Sequence, residues 1–187
     1  MECMGRPLRV AQKGFAYHVV NRGVHRQTLF ESNSDYQQFQ QLMVRACSRV
    51  AMRLIAYCLM KNHWHLVLWP KKDAALSAYI HWLTGVHARY FNAARGLKGH
   101  VYQSRFYSVP IADERHLWVV LRYVESNPVR AGLVHRAENW HWSSVTPFAG
   151  LRLAPFKRPP NWLDLLADPL ADTQPAVPGT VKTETMP

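Results

Sequence analysis

Residues 61–69 read Lys61-Asn62-His63-Trp64-His65-Leu66-Val67-Leu68-Trp69. Alternate side chains of a β-strand share a face, so His63 and His65 point the same way, ~6–7 Å apart along the chain. That spacing suits two imidazole nitrogens on one metal ion. Trp64, Leu66 and Leu68 fall on the opposite face and have the character of core. Alone, the pattern leaves two readings open, a ligand pair or two half-exposed strand histidines, because His serves equally as a common metal ligand and as an ordinary polar residue. Tyr123 and Asn127 add weight to the first reading. They lie four apart in an amphipathic segment and share one helix face.

The elements that must position these groups follow from periodicity. Residues 15–22, rich in β-branched and aromatic side chains, predict a first strand that closes at Gly23. The loop that follows, Asn21-Arg22-Gly23-Val24-His25-Arg26-Gln27, sets two arginines and an amide among small residues. It can grip phosphates or base edges, or be a solvated polar turn. Ser34 or Asp35 caps a helix to about residue 52, with Tyr36, Phe39, Leu42, Met43, Ala46, Cys47 and Val50 at threes and fours. Residues 54–60 and 63–69 then read as an antiparallel hairpin about the short turn Lys61-Asn62, stopped by Pro70. A second amphipathic helix spans 74–94 and ends at Gly96. Residues 100–110 alternate and predict a fourth strand. There Tyr102, Gln103, Arg105 and Tyr107 mix aromatic faces with hydrogen-bonding groups, a combination suited to stacking on and tracking a nucleic-acid strand, or simply to an amphipathic strand. Asp113 caps a third helix over 114–127, buried through Leu117, Val120, Leu121 and Val124, with Pro128 expected to end it at Asn127. Glu125 lies on another face of this helix from Tyr123 and reads as solvated. The order β-α-β-β-α-β plus a third helix defines an α+β fold: the ferredoxin-like split βαβ, with an antiparallel sheet that carries both histidines on one face.

Composition bounds the function. A chain of 187 residues with 48% hydrophobic content fits one globular domain and a tail. The boundary falls near 146: residues 8–146 form the domain, and 147–187 form a Pro-rich tail, with a short helix near 162–166 and a disordered stretch after 168. Net charge of +11 and a pI near 10.0 argue for a polyanionic partner, most simply nucleic acid. Cys3, Cys47 and Cys58 are odd in number and lack metal spacing, so they read as free thiols in a reducing cytosol. The apolar runs are too short for a membrane span. Arg6, Arg9 and Lys13 precede no apolar stretch of signal-peptide type. A cytoplasmic protein is the expectation.

Four stretches, in order, resemble the single-tyrosine HUH transposases, most closely their REP-associated branch: Tyr17-His18-Val19-Val20-Asn21-Arg22-Gly23; His63-Trp64-His65; Gly99-His100-Val101-Tyr102-Gln103-Ser104-Arg105-Phe106; and Tyr123-Val124-Glu125-Ser126-Asn127-Pro128-Val129-Arg130-Ala131-Gly132-Leu133. The resemblance implies an enzyme that cuts single-stranded DNA by tyrosine attack on a phosphodiester, leaving a 5′-phosphotyrosine link and a 3′-hydroxyl. It implies Tyr123 as nucleophile on a C-terminal catalytic helix, and His63 and His65 as metal ligands. Asn127 would be a third ligand, and the metal Mg2+ or Mn2+. It also implies hairpin-bearing, palindromic-repeat DNA as substrate, and favours a monomer over a dimer.

Elementary chemistry agrees with that transfer. A protonated tyrosine is a weak nucleophile. A divalent cation can polarise the scissile phosphate and offset charge in the transition state. Two imidazoles and one amide oxygen leave coordination sites open for phosphate oxygens. Arg22, Arg26, Arg105 and Arg130 are the expected phosphate contacts, with Asn21, Tyr102 and Gln103 beside them. His18 borders the site, and an unliganded strand histidine is the expectation there. A second reading from a different class is a non-catalytic single-stranded nucleic-acid-binding module on the same sheet, since such sheets also stack bases on aromatics. A structural zinc site fails for want of a four-ligand cysteine–histidine set.

Overall fold

The computed structural model describes residues 11–148, 151, 153 and 157–167. Along them run β1 (Tyr17–Arg22), α1 (Asn33–Arg49), β2 (Met52–Met60), β3 (His63–Pro70), α2 (Ala75–Arg95), β4 (Tyr107–Pro110), α3 (Glu114–Arg130) and α4 (Trp162–Ala167). The strands form one sheet in the order β2-β3-β1-β4, every neighbour antiparallel. This is the split βαβ plan that the sequence predicts.

Local chemistry sets the element ends. α1 starts at Ser32, not at Ser34 or Asp35, through a capping box. The Asp35 N–H donates to Ser32 Oγ while the Asp35 carboxylate accepts from the Ser32 N–H. The turn Lys61-Asn62 joins β2 to β3, with Met60 opposite His63. After β1, the chain turns so tightly that a Cβ at Gly23 would lie 2.4 Å from the Gln27 carbonyl oxygen, so only glycine fits there.

The sheet is covered on both faces. On one, Val19, Leu54, Leu59, Trp64, Leu66 and Leu68 pack against α1 and α2. On the other, Ile55, Ala56, Cys58, Met60 and Val67 meet Leu117, Val120, Leu121 and Val124 of α3, with Trp162 and Leu166 of α4 behind. A register shift in β2 between Leu54 and Ala56 puts the adjacent pair Ile55 and Ala56 in this second layer. The apolar stripe of α3 is worth at most about 6–12 kcal/mol by burial. That is enough to hold the helix on the sheet, but the force is non-directional.

Further expectations are corrected. The fourth strand pairs only over Tyr107–Pro110. Residues 101–103 instead follow the turn after β1, with Gln103 N–H donating to the Arg22 carbonyl at 2.9 Å and Val24 N–H to the Val101 carbonyl at 2.9 Å. α3 does not stop at Asn127 but runs to Arg130 with Pro128 inside it. Asn127 and Pro128 are both buried, and the Asn127 carbonyl still accepts from Ala131 N–H, so packing outweighs the bias against helical geometry before proline. Glu125 is not solvated: it is 1% exposed. Part of the stretch assigned to the tail packs on α3, since Trp162 and Leu166 belong to that core. The disordered stretch expected after 168 lies outside the described residues, as does Cys3. Cys47 and Cys58 are free thiols. No described helix is long and apolar enough to cross a membrane.

Candidate active site

His63 and His65 stand at the start of β3, paired across to Arg22 and Val20 of β1, with Val67 paired to His18. Strand alternation therefore gathers His18, Val20, Arg22, His63 and His65 on the face that α3 covers. Trp64 on the opposite face is fully buried and anchors the strand from behind. α3 lays Tyr123 over the histidines. Its ring meets His65 edge-on at 5.6 Å between centroids and His18 edge-on at 5.9 Å. One turn later Asn127 Nδ2 donates to His65 Nε2 at 3.4 Å. The His63 and His65 rings lie 5.0 Å apart.

His65 is the hub. Its Nδ1 pairs with His18 Nε2 at 3.0 Å while its Nε2 faces Asn127. The tautomer follows: Nε2 accepts, so Nδ1 carries the proton and donates to His18. His63 Nδ1 is bonded to Asn62 Oδ1 at 2.8 Å, which makes Nδ1 the donor and leaves Nε2 as its lone-pair nitrogen. Burial lowers all three histidines. His63 falls to about 4, helped by the Arg22 guanidinium, and His18 to about 4, helped by His116. His65 falls well below its ordinary value, with His18, His63 and Arg22 adding to the effect of burial. Near neutral pH each ring is uncharged, the form a metal ligand needs; the lone pair of His65 Nε2 faces Asn127 and that of His18 Nε2 faces His65.

Positive charge and open space surround the tyrosine. The Arg130 guanidinium lies 5.7 Å from the centre of the Tyr123 ring. A cavity of about 660 Å³ opens between the β1–β4 edge and the N-terminal half of α3. Its walls include His18, Arg22, His65, Tyr107, Val119 and Tyr123. A titratable hydroxyl, neutral imidazoles and guanidinium groups around one cleft can together bind an anionic ester and attack it.

The sequence-nominated residues divide between the two faces. Tyr123, His63, His65, Asn127, Arg22 and Arg130 come together. Asn21 is buried in β1 with its Oδ1 accepting from Arg22 N–H. It lines a second cavity, of about 500 Å³, on the α2 side, together with Tyr102 and Arg105. The Tyr102 hydroxyl is committed to the core, bonded to His87 Nδ1 at 2.7 Å and to Trp64 Nε1–H at 3.3 Å. Gln103 and Arg26 are exposed at the end of β1, and Arg26 holds a left-handed φ of 61°. His18, expected to be unliganded, is hydrogen-bonded to the central histidine. Arg115, His116 and Val119 were not singled out, although steps of four from Tyr123 through Val119 to Arg115 mark one helix face.

Among the described residues no three His, Cys, Asp or Glu side chains converge as a metal site. A divalent ion would therefore take two imidazoles and a carboxamide, all neutral. Turning the Asn127 amide over puts its oxygen towards His65, so the donors fit such an ion. Water or an anionic ligand would fill the remaining coordination, and only the latter would supply negative charge.

Comparison with known proteins places this geometry. Residues 11–127 match the family model described as "Transposase IS200 like", a span that ends on Asn127. A protein of Haemophilus influenzae strain Rd, named for the REP-associated tyrosine transposases, is 25% identical over 122 residues, covering 59% of this chain and 69% of its own. The solved structure of a REP-associated tyrosine transposase bound to a REP hairpin superposes with a TM-score of 0.61 at 22% identity, over 75% of this chain and 82% of that one. The fold is thus shared. With the family model spanning β1 to the Tyr123–Asn127 turn, the chain belongs to the IS200-like transposases, a family of DNA-processing proteins.

Proposed function

We propose that this chain cuts and rejoins single-stranded DNA beside a hairpin or palindromic repeat, through a covalent bond between Tyr123 and a 5′-phosphate. The observation that carries this reading is the placement of the Tyr123 ring against His65 and His18 in the wall of a cavity that Arg22 and Arg115 also line, with Asn127 one turn below. The names of the H. influenzae relative and of the solved structure support the substrate class, as does the net charge of +11.

In the forward step Tyr123 Oη attacks phosphorus and gives up its proton. The Oη–P bond forms and the P–O3′ bond breaks. The departing oxygen takes up a proton and becomes a 3′-hydroxyl. Rejoining is the reverse attack by a 3′-hydroxyl, so no external energy source is needed. Arg130 supplies positive charge beside the ring as negative charge builds, and Arg22 faces the cavity where the phosphate lies. His18 and Asn62 fix the ring planes of His65 and His63. His63, His65 and Asn127 would hold Mg2+ or Mn2+, which would polarise the phosphate oxygens and offset their charge. Because these three ligands are neutral, a DNA phosphate would add the negative charge they lack, and ion and DNA would then favour each other's binding.

The test is a denaturing gel of the full chain with labelled single-stranded hairpins and Mn2+, wild type beside Tyr123→Phe and His63→Ala. A metal-dependent protein–DNA adduct that disappears in both variants is expected. Adduct formation by Tyr123→Phe would remove the mechanism. Salt-sensitive binding with no adduct on any strand would favour a non-catalytic nucleic-acid-binding module.

A further inference from the structure

α3 has a second polar anchor, on the side away from the histidines. Glu125 lies between Tyr123 and Asn127 in sequence, and at 100° per residue it projects about 200° from Tyr123. Its carboxylate is buried, at 1% exposure, and takes three donors. Ser144 Oγ–H reaches Oε1 at 2.7 Å, Arg158 Nη2 reaches Oε1 at 2.6 Å, and Trp162 Nε1–H reaches Oε2 at 2.6 Å. Each donor is itself tied down. Ser144 Oγ accepts from Tyr57 N–H of β2 at 3.1 Å, Arg158 Nη2 also donates to the Ile55 carbonyl at 3.4 Å, and Trp162 packs edge-on against Trp118 of α3 at 5.6 Å. Arg122 Nε donates to the Leu165 carbonyl at 2.9 Å, a second tie from α3 to α4.

All three donors lie beyond residue 127, where the family match ends. Apart from the 3.4 Å Asn127–His65 hydrogen bond and the edge-on Tyr123 ring, the contacts of α3 with the sheet are an apolar stripe, which tolerates small rotations because burial has no preferred direction. Charge-assisted hydrogen bonds at 2.6–2.7 Å do have one. We infer that Glu125 is a positioning residue: gripped by Ser144, Arg158 and Trp162, it sets the rotation of α3 so that Tyr123 and Asn127 face His65. The C-terminal segment thereby becomes part of the catalytic apparatus without touching substrate. Its catalytic meaning rests on the function proposed above, whereas its geometric claim stands apart from it.

The experiment uses the full chain with 3-fluorotyrosine at all tyrosines, the Tyr123 signal being assigned by its loss in Tyr123→Phe. Trp162→Phe keeps an aromatic ring, though a smaller one, and removes the N–H donor. Glu125→Gln keeps the size and removes the charge. Both are compared well below their own melting temperatures. The fluorine resonance of Tyr123 is expected to shift or broaden in each variant while that of Tyr102, on the opposite face of the sheet, stays in place. Single-turnover cleavage at saturating DNA is expected to fall 10–100-fold, with hairpin affinity unchanged within twofold. A role confined to stability would lower the melting temperature and leave the Tyr123 signal and the rate per folded molecule as in wild type, and that result overturns the inference. If the wild type makes no adduct, the proposed function fails, and the fluorine signals alone still decide whether Glu125 sets the tyrosine.

Discussion

Two buried histidines lie on opposite faces of the sheet, and their environments differ in kind. His87 of α2 is 2% exposed, bonded through Nδ1 to the Tyr102 hydroxyl and ringed by Phe30, Phe39 and Phe91. His65 of β3 is 4% exposed, held between His18 and Asn127, and forms part of the wall of an open cavity beside Tyr123. Burial depresses both, His87 to about 4 and His65 well below its ordinary value. A perturbed histidine therefore does not by itself mark a site. His65 differs in its neighbours: two further histidines, and a tyrosine that lines the same open cavity instead of spending its hydroxyl on the core. Around His87 every neighbouring ring belongs to the packed core.

The comparison predicts opposite consequences for disruption on the two faces. On the α3 face, Tyr123→Phe removes one oxygen and should reduce DNA cleavage by at least ~10³-fold, as loss of a nucleophile does in other covalent mechanisms. Melting temperature and hairpin affinity should hold, since no described hydrogen bond depends on that oxygen. On the α2 face, His87→Ala leaves a void and strips the Tyr102 hydroxyl of its closest partner. It should cost about 2–4 kcal/mol of stability, with the cleavage rate per folded molecule unchanged. Chemical denaturation read beside single-turnover cleavage separates the two. If His87→Ala slows chemistry in fully folded protein, the division between the faces is wrong.

Acid sensitivity is shared by both faces, since burial lowers His18, His63 and His65 as well as His87. The native fold holds His87 neutral down to about pH 4, mainly by burial, with nearby Asp35 working against the shift. In the unfolded chain the ring gains a proton below its ordinary value of 6.5. The unfolded state therefore binds more protons between pH 6.5 and 4, and stability falls as pH drops through that window. For His87 the full loss is about 3 kcal/mol. His87→Gln should flatten the decline in melting temperature over this range. An unaltered slope would assign the acid sensitivity to other groups.

How much of this was legible in the sequence depends on the reach of each contact. Strand parity fixed the faces of His63, His65 and Trp64, and helix parity put Tyr123 with Asn127, because both are local geometry. Local pattern could not say that Tyr102 turns its hydroxyl into the core, because residues 101–103 follow a turn set by Gly23. Glu125 was illegible for a stronger reason. Read alone it is a charged residue on a helix, and the donors that bury it arrive 19, 33 and 37 residues later. Pro128 misled in the opposite sense, since a local bias lost to the burial of its own turn.

His18 sharpens the comparison at smaller scale. Its ring meets His65 and Tyr123, both on the α3 face, and its bond to His65 Nδ1 fixes the plane of that ring. Supporting bonds of this type are worth about 10–100-fold in metal affinity or activity. His18→Ala should lower cleavage by that factor and raise the Mn2+ concentration giving half-maximal rate, while a melting curve moves little. Normal Mn2+ dependence in His18→Ala would reduce His18 to a neighbour of the site.

The smallest expected effect is that of the metal on the fold. His65 has a protein partner at each ring nitrogen, His63 has one at Nδ1, and Asn127 is bonded to His65. The apolar layers on both sides of the sheet close without contribution from these groups. A structural zinc site behaves otherwise, because there the ion supplies folding free energy outright. Here chelator should leave the melting curve cooperative and in place. Mn2+ at ten times its dissociation constant should add only about 1.4 kcal/mol by mass action, which for a domain of this size raises the melting temperature by roughly 3–6 °C. Adding hairpin DNA together with Mn2+ should raise it by more than the two separate increments, because the phosphate brings the charge that two imidazoles and an amide lack. Unfolding in chelator would instead mean that the histidine face, like the His87 face, is there to hold the protein together.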